Sequence, residues 1–375
     1  MIYLDYSANT PVDARVLEQF CAVERRCIGN ANSHHQAGSA AKAEIDAATI
    51  KIASLLGVQP AEIIYTSGAS EANNFALKGL ARLSRHAGRH IISTPLEHSS
   101  VSGTLTALQE QGHEIDLLDV KQDGTVDLEH LRDLLRPDTI CVAVTLVDSE
   151  LGVVQPVQEI AAILKAYPHC HLHVDATQAV GKIPVSFEGV DTMSLTAHKF
   201  YGLNGIGLLI KRRNLALEPL IHGGESTTIY RSGTPTVALA SSLACALDFA
   251  VIDLPGRVDH VAKLNAELRA ALSTYPLVRI NSPDHAIPHV LNLSVRNVKG
   301  TVFQRELDAK GVCVSVKSAC SSDGLPSRAV FAVSRDRRNA LSSWRISLSH
   351  LTTEDEIKAF LQAFDVCYRE LTAVH

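Results

Sequence analysis

The chain has 375 residues, more than a typical single domain, so length alone points to two domains or one large α/β unit. With 46 % hydrophobic and 20 % charged residues it has the make-up of an ordinary soluble protein with a sizeable core, which argues against disorder. The net charge of −5 argues against a protein built mainly to bind nucleic acid.

At the N-terminus, "MIYLDYSANT" puts Asp5 where a signal peptide would need an uninterrupted apolar run. No apolar stretch is long enough to span a bilayer, so no membrane association is expected. The eight cysteines (21, 27, 141, 170, 245, 313, 320, 367) are scattered, without a CxxC pair or zinc-like spacing. A cytoplasmic location without disulfides is the expectation.

The segment "YTSGASEANNFALKGLA" (65–81) reads as an apolar strand, a Gly-Ala-Ser turn and a helix. Ser70, followed by Glu71 and Asn73, reads as the helix cap. Such a helix start offers N–H groups and hydroxyls to a phosphate. Further apolar runs follow at 90–95, 114–120, 140–147, 171–177, 192–198 and 205–211, with helical segments such as 157–167 between several of them. The alternation predicts an α/β fold with a mostly parallel sheet flanked by helices. His169, Cys170, His171 and His173 alternate before Asp175, but are read as strand residues, with no metal expected.

Two runs carry the chemistry. Asp175 closes "HVDATQAVGK" (173–182) and Lys199 closes "SLTAHKFYG" (194–202), 24 residues later. Ligands of parallel sheets bind beyond the carboxyl ends of the strands. A lysine amine that can form an imine, with a carboxylate that can keep a pyridinium protonated, is what a pyridoxal-phosphate (PLP) enzyme needs.

A boundary is expected near "DLPGRVD" (253–259), where a long helix begins. Residues 255–350 carry 14 Lys and Arg against 7 Asp and Glu, an ordinary fluctuation in surface charge. Near the end, Cys313 reads as part of a half-buried strand. Cys320 sits among Ser, Ala, Asp and Gly beside Lys317, as an exposed reactive cysteine would. Arginines 328, 335, 337 and 338 read as a solvated loop rather than a docking site.

At this point a resemblance becomes specific. "YLDYSANTPVD" (3–13), "GNANSHHQAG" (29–38), "TSGASEAN" (66–73), "EHSSV" (97–101), "VDATQAVGK" (174–182), "TAHKFYG" (196–202), "HGGE" (222–225), "RSGTPTV" (231–237), "SACSS" (318–322) and "WRISLSHLTTEDEI" (344–357) resemble, in order, the motifs of the cysteine desulfurase family of the class V aminotransferase superfamily. The long stretch between Cys320 and Arg345 resembles the long-loop branch. The resemblance implies PLP fold type I and a homodimer. It also implies a large PLP domain over 15–255, and a smaller α/β C-terminal domain over 256–375 that includes residues 1–14 and carries the cysteine loop.

The family's roles carry over as follows. Lys199 would hold PLP as an imine, Asp175 would hold its ring nitrogen, Gln178 and Ser149 its phenolic oxygen, and His98 would stack on the ring and shuttle protons. Ala69, Ser70, Thr196 and His198 would bind the phosphate, with Thr234 reaching the phosphate of the other subunit. Arg345 and Asn32 would bind the substrate L-cysteine, and Cys320 would be the nucleophile that takes its sulfur for an acceptor or scaffold protein. Two positions depart from the pattern: "DSELG" (148–152) stands where the family has Asn-Asn-Glu-x-Gly, and Lys317 stands at a glycine. Serine has no amide donor to offer at 149. The neighbouring expectations are a selenocysteine lyase, another aminotransferase-type enzyme, or a catalytically degenerate sulfur-relay scaffold.

Overall fold

The apolar runs become strands of one large sheet. In chain order the strands are β1 (Ile2–Tyr3), β2 (Ile63–Thr66), β3 (His90–Ser93), β4 (Glu114–Leu117), β5 (Thr139–Thr145), β6 (His171–Asp175), β7 (Thr192–Thr196), β8 (Gly207–Lys211), β9 (Val278–Ile280), β10 (Val290–Val295), β11 (Val312–Cys313) and β12 (Ser343–Ser347). The computed structural model describes residues 1–224, 226–317 and 325–373.

Seven strands form the main sheet, in the order β2-β8-β7-β6-β5-β3-β4. From β7 to β4 all pairs are parallel, whereas β8 runs antiparallel to both β2 and β7. All seven residues of β5 are buried. A parallel strand reads as an unbroken apolar run because helices cover both of its faces. The fold is therefore the α/β architecture that the sequence implies, with one reversed strand that an apolar run cannot reveal.

Helix Val237–Ile252 ends at Asp253, and helix Leu254–Leu272 starts at once, bent by 66° from it. Pro255 sits in the first turn of the second helix, where its missing N–H is harmless. No single described helix is long and apolar enough to cross a membrane. Beyond the bend a second apolar core forms around Trp344, Phe303, Phe360 and Phe364, and Leu4 belongs to it. The Trp344 and Phe303 rings stack with centroids 5.1 Å apart. Strand β10 lies between β9 and β12, and β1 pairs with β11. The N-terminal residues are thus built into the C-terminal part of the molecule.

The arginine cluster is not a loop. Arg328 opens helix Arg328–Ser334, and Arg337 and Arg338 open helix Arg337–Ser342, while Arg335 takes a left-handed φ of 51° between them. Asp336 caps the second of these helices, which is why the chain folds there.

Candidate active site

The carboxyl ends of β3, β5, β6 and β7 open onto one cavity of about 340 Å³. Its walls include Ala69, Ser70, His98, Ser149, Asp175, Gln178, Thr196, His198, Lys199 and Arg345. Ten side chains singled out from the sequence therefore meet in one place.

Asp175 is the last residue of β6 and is buried. Its Oδ1 accepts from the Thr177 N–H (2.9 Å) and its Oδ2 from Asn73 Nδ2 (2.8 Å). Asn73 is fully buried on helix Ala69–Leu83. The same Nδ2 also donates to Ser100 Oγ (2.9 Å), which lies 2.9 Å from His98 Nδ1. With its amide nitrogen committed, Asn73 turns its Oδ1 to His173 Nε2 (3.0 Å). Burial pushes His173 down to about 4, so it is neutral and carries its proton on Nε2. A continuous chain thus joins Asp175 to His98 through Asn73 and Ser100.

His98 caps helix Ser99–Glu110, with Nδ1 accepting from the Ser100 N–H (3.1 Å). Burial holds its pKa below the usual histidine value, against the pull of Asp175. A neutral ring with Nδ1 as acceptor carries its proton on Nε2.

Lys199 ends the short turn Ala197–Lys199 that follows β7. Its Nζ donates to the carbonyls of Ser7 (2.7 Å) and Ala8 (2.6 Å). The Ser7 carbonyl also accepts from Gln178 Nε2 (2.9 Å). His198 beside it is driven down to about 4 by burial, then by Lys199 and Lys182. Thr196 Oγ1 lies 3.1 Å from His198 Nδ1.

Arg345 comes from β12 and is buried. Its Nη1 donates to the Ser149 carbonyl (2.7 Å) and its Nη2 pairs with Asp5 Oδ1 (2.9 Å), while Nε has no partner among the described residues. Ser149 therefore contributes its backbone to the arginine, leaving the side chain to the cavity wall.

The helix start differs from expectation. Gly68, not Ser70, is the N-cap, and no side chain caps the helix. Its φ of 154° is open to glycine and rare for other residues. A Cβ on Gly207 of β8 would stand 2.7 Å from Gly68 Cα, so two glycines let sheet and helix start come together. The result is an uncapped helix N-terminus facing the cavity, with Ser70, Thr196 and His198 around it. That donor set fits a phosphate. Ser7 Oγ and Thr177 Oγ1, on two further lining residues, have no hydrogen-bond partner among the described residues. The cavity thus fits a phosphorylated, polar cofactor such as PLP.

Three expected members stand apart. Asn32 is exposed, in a turn where its N–H donates to Asn30 Oδ1, and does not line the cavity. Thr234 lines a separate cavity of about 190 Å³ with Ser67, Gly205 and Arg231. Cys320 lies outside the described residues. Conversely, Asp5, Ser7, Ala8, Asn73 and Lys182 take part without having been singled out. Only Asn73 had a signal, as a residue already read with Ser70 and Glu71 at the start of that helix.

Residues 2–360 match the family model for aminotransferase class V. The chain is 40 % identical to the cysteine desulfurase IscS of Proteus mirabilis over 365 residues, covering 95 % of this chain and 90 % of that protein. Among solved structures, a NifS-like protein superposes with a TM-score of 0.92 at 35 % identity, covering 99 % of both chains. SspA in complex with cysteine superposes with a TM-score of 0.83 at 30 % identity, covering 94 % of this chain and all of that one. The chain belongs to the class V aminotransferases, a family of PLP-dependent enzymes. Within that family it is a member of the cysteine desulfurase group.

Proposed function

We propose that the chain converts L-cysteine to L-alanine and takes the sulfur on Cys320 as a persulfide for delivery to acceptor proteins of iron–sulfur or thiolation pathways. The observation that carries this reading is the convergence of Lys199, Asp175, His98 and Arg345 on one cavity beside an uncapped helix start. PLP would supply the electron sink that stabilises a carbanion at the substrate Cα.

The protein's own groups divide the work. The N–H groups at Ala69 and Ser70, with Thr196 and His198, would hold the phosphate. Asp175, fixed by Asn73 and Thr177, would keep its charge against the ring nitrogen. Gln178 would offer its amide N–H to the ring oxygen. Arg345 would hold the substrate carboxylate, which orients the Cα–H toward Lys199 Nζ. Lys199 Nζ would take that proton, and the His98 Nε2–H is placed to supply one within the same cavity.

The Cys320 thiolate would then attack the substrate sulfur. The new S–S bond forms as the substrate Cβ–S bond breaks, its electron pair stays on the substrate carbon, and protonation there yields alanine. Thr234, turned to the neighbouring cavity, would serve the phosphate of a second copy in a homodimer. Asn32, exposed in its turn away from the cavity, would need the same partner to reach substrate.

The test is mass analysis of the Cys320 peptide after incubation with L-cysteine, alongside Cys320→Ser. A sulfur adduct on wild type alone supports the reading. Persulfide and alanine at full rate from Cys320→Ser would defeat the nucleophile assignment, and faster turnover of selenocysteine independent of Cys320 would point to a lyase.

A further inference from the structure

Lys182 is a buried amine that the reading above leaves without a task. It is 6 % exposed and lies one turn beyond Gln178, whose Oε1 accepts from its Nζ at 2.6 Å. No ion pair joins it to a carboxylate among the described residues. Its charged neighbours, Lys199 and Arg345, are cations, and on its other sides it faces His198 and His289. Burial, then these two cations, bring it down to about 7. A buried charge held this way does not contribute to stability, and apolar replacements of such groups are often neutral or stabilising. Its presence calls for another reason.

The hydrogen bond supplies one. The Lys182 amine has N–H donors in either charge state, and here it donates to Gln178 Oε1, which turns the amide NH₂ the opposite way. There Nε2 donates to the Ser7 carbonyl at 2.9 Å, and Gln178 lines the cavity; an amide nitrogen carries a second N–H that a group in the cavity could accept. Without Lys182 the amide is held at one end only.

We propose that Lys182 is a positioning residue that locks the Gln178 amide with its donor edge toward the cavity, so that the cofactor's ring oxygen meets an N–H and not a carbonyl. This rests on the PLP reading of the site. It assigns a function to a side chain outside the cavity, acting through another residue.

The experiment uses the purified full chain loaded with PLP and follows the pH midpoint of the bound cofactor's visible absorbance. Lys182→Met removes the donor and the charge; Lys182→Gln removes the charge but keeps an N–H for Gln178 Oε1. Losing a donor to the ring oxygen disfavours its deprotonated form, so the midpoint of Lys182→Met should move up by roughly one pH unit, with weaker PLP binding. Lys182→Gln should restore most of that shift. The melting temperature of Lys182→Met should hold or rise, which a merely structural lysine would not allow. A midpoint unmoved in Lys182→Met overturns the proposal, and so does a shift in Lys182→Gln as large as in Lys182→Met. Wild-type protein that stays colourless with PLP would instead overturn the site reading beneath it.

Discussion

Asp5 Oδ1 lies 2.9 Å from Arg345 Nη2, joining residues 340 positions apart, while Asp5 Oδ2 accepts from Ser315 Oγ at 2.7 Å. The guanidinium is only 2 % exposed in its side chain and Asp5 is 18 % exposed, so the pair is largely withdrawn from water. A cation in that setting needs a partner. Asp5 supplies it, and in doing so neutralises the group proposed to attract the substrate carboxylate.

Asp5→Asn separates these effects. Asparagine keeps an oxygen for Arg345 and can turn its amide to Ser315, so orientation survives while the negative charge is lost. The KM for L-cysteine is expected to fall by about 3- to 10-fold, within roughly 1.4 kcal/mol of added attraction, while the melting temperature drops. Steady-state kinetics and thermal unfolding on the same preparation check both. A KM that rises would show that the charge of Asp5 serves binding and does not oppose it.

Asn73 ties Asp175, Ser100 and His173 together from a fully buried position. Asn73→Ala leaves several buried polar groups without partners at once, for a loss of about 2–4 kcal/mol by the usual penalty per group. Urea unfolding should show that loss, and the absorbance of bound PLP should shift as Asp175 loses a donor. A variant as stable as wild type would mean that water replaces the amide.

Ser149→Ala tests whether the departure from the family pattern matters. Arg345 uses the Ser149 carbonyl, which the substitution retains. The KM for L-cysteine should change by less than about threefold, a difference well under 1 kcal/mol. A larger rise would give the hydroxyl a direct part in binding substrate.

Acid stability should depend on His289. Burial, then Lys182 and His350, push it down to about 3, and its Nδ1 has no partner among the described residues. An unfolded histidine titrates near about 6.5. Between those values the unfolded chain binds the extra proton, so this residue removes stability as pH falls through that window. The melting temperature of His289→Gln, measured against wild type, should therefore improve steadily from about pH 7 to about pH 5. A constant difference would show that His289 takes up its proton in the folded protein as readily as in the unfolded chain.

How much of this was legible in the chain follows from which forces are local. Apolar runs announce buried strands, so the α/β sheet and the placement of Asp175 and Lys199 at strand ends could be read directly. Strand direction could not, because an apolar run looks the same either way, and β8 is reversed. Ser70 looked like the cap because serine favours that position, yet Gly68 takes it, since φ 154° suits a glycine, and Gly207, having no Cβ, lets β8 lie close beside it. The carbonyls of Ser7 and Ala8 on Lys199, and Asp5 on Arg345, join segments nearly two hundred or more residues apart. No spacing rule reaches that far.

The most direct measurement is the paired yield of alanine and sulfide from L-cysteine with a thiol reductant, for wild-type protein and Lys199→Ala, both supplied with PLP. Wild type should release the two products in equal amounts, and Lys199→Ala neither above background. Alanine without matching sulfide, or undiminished turnover by Lys199→Ala, would contradict the account.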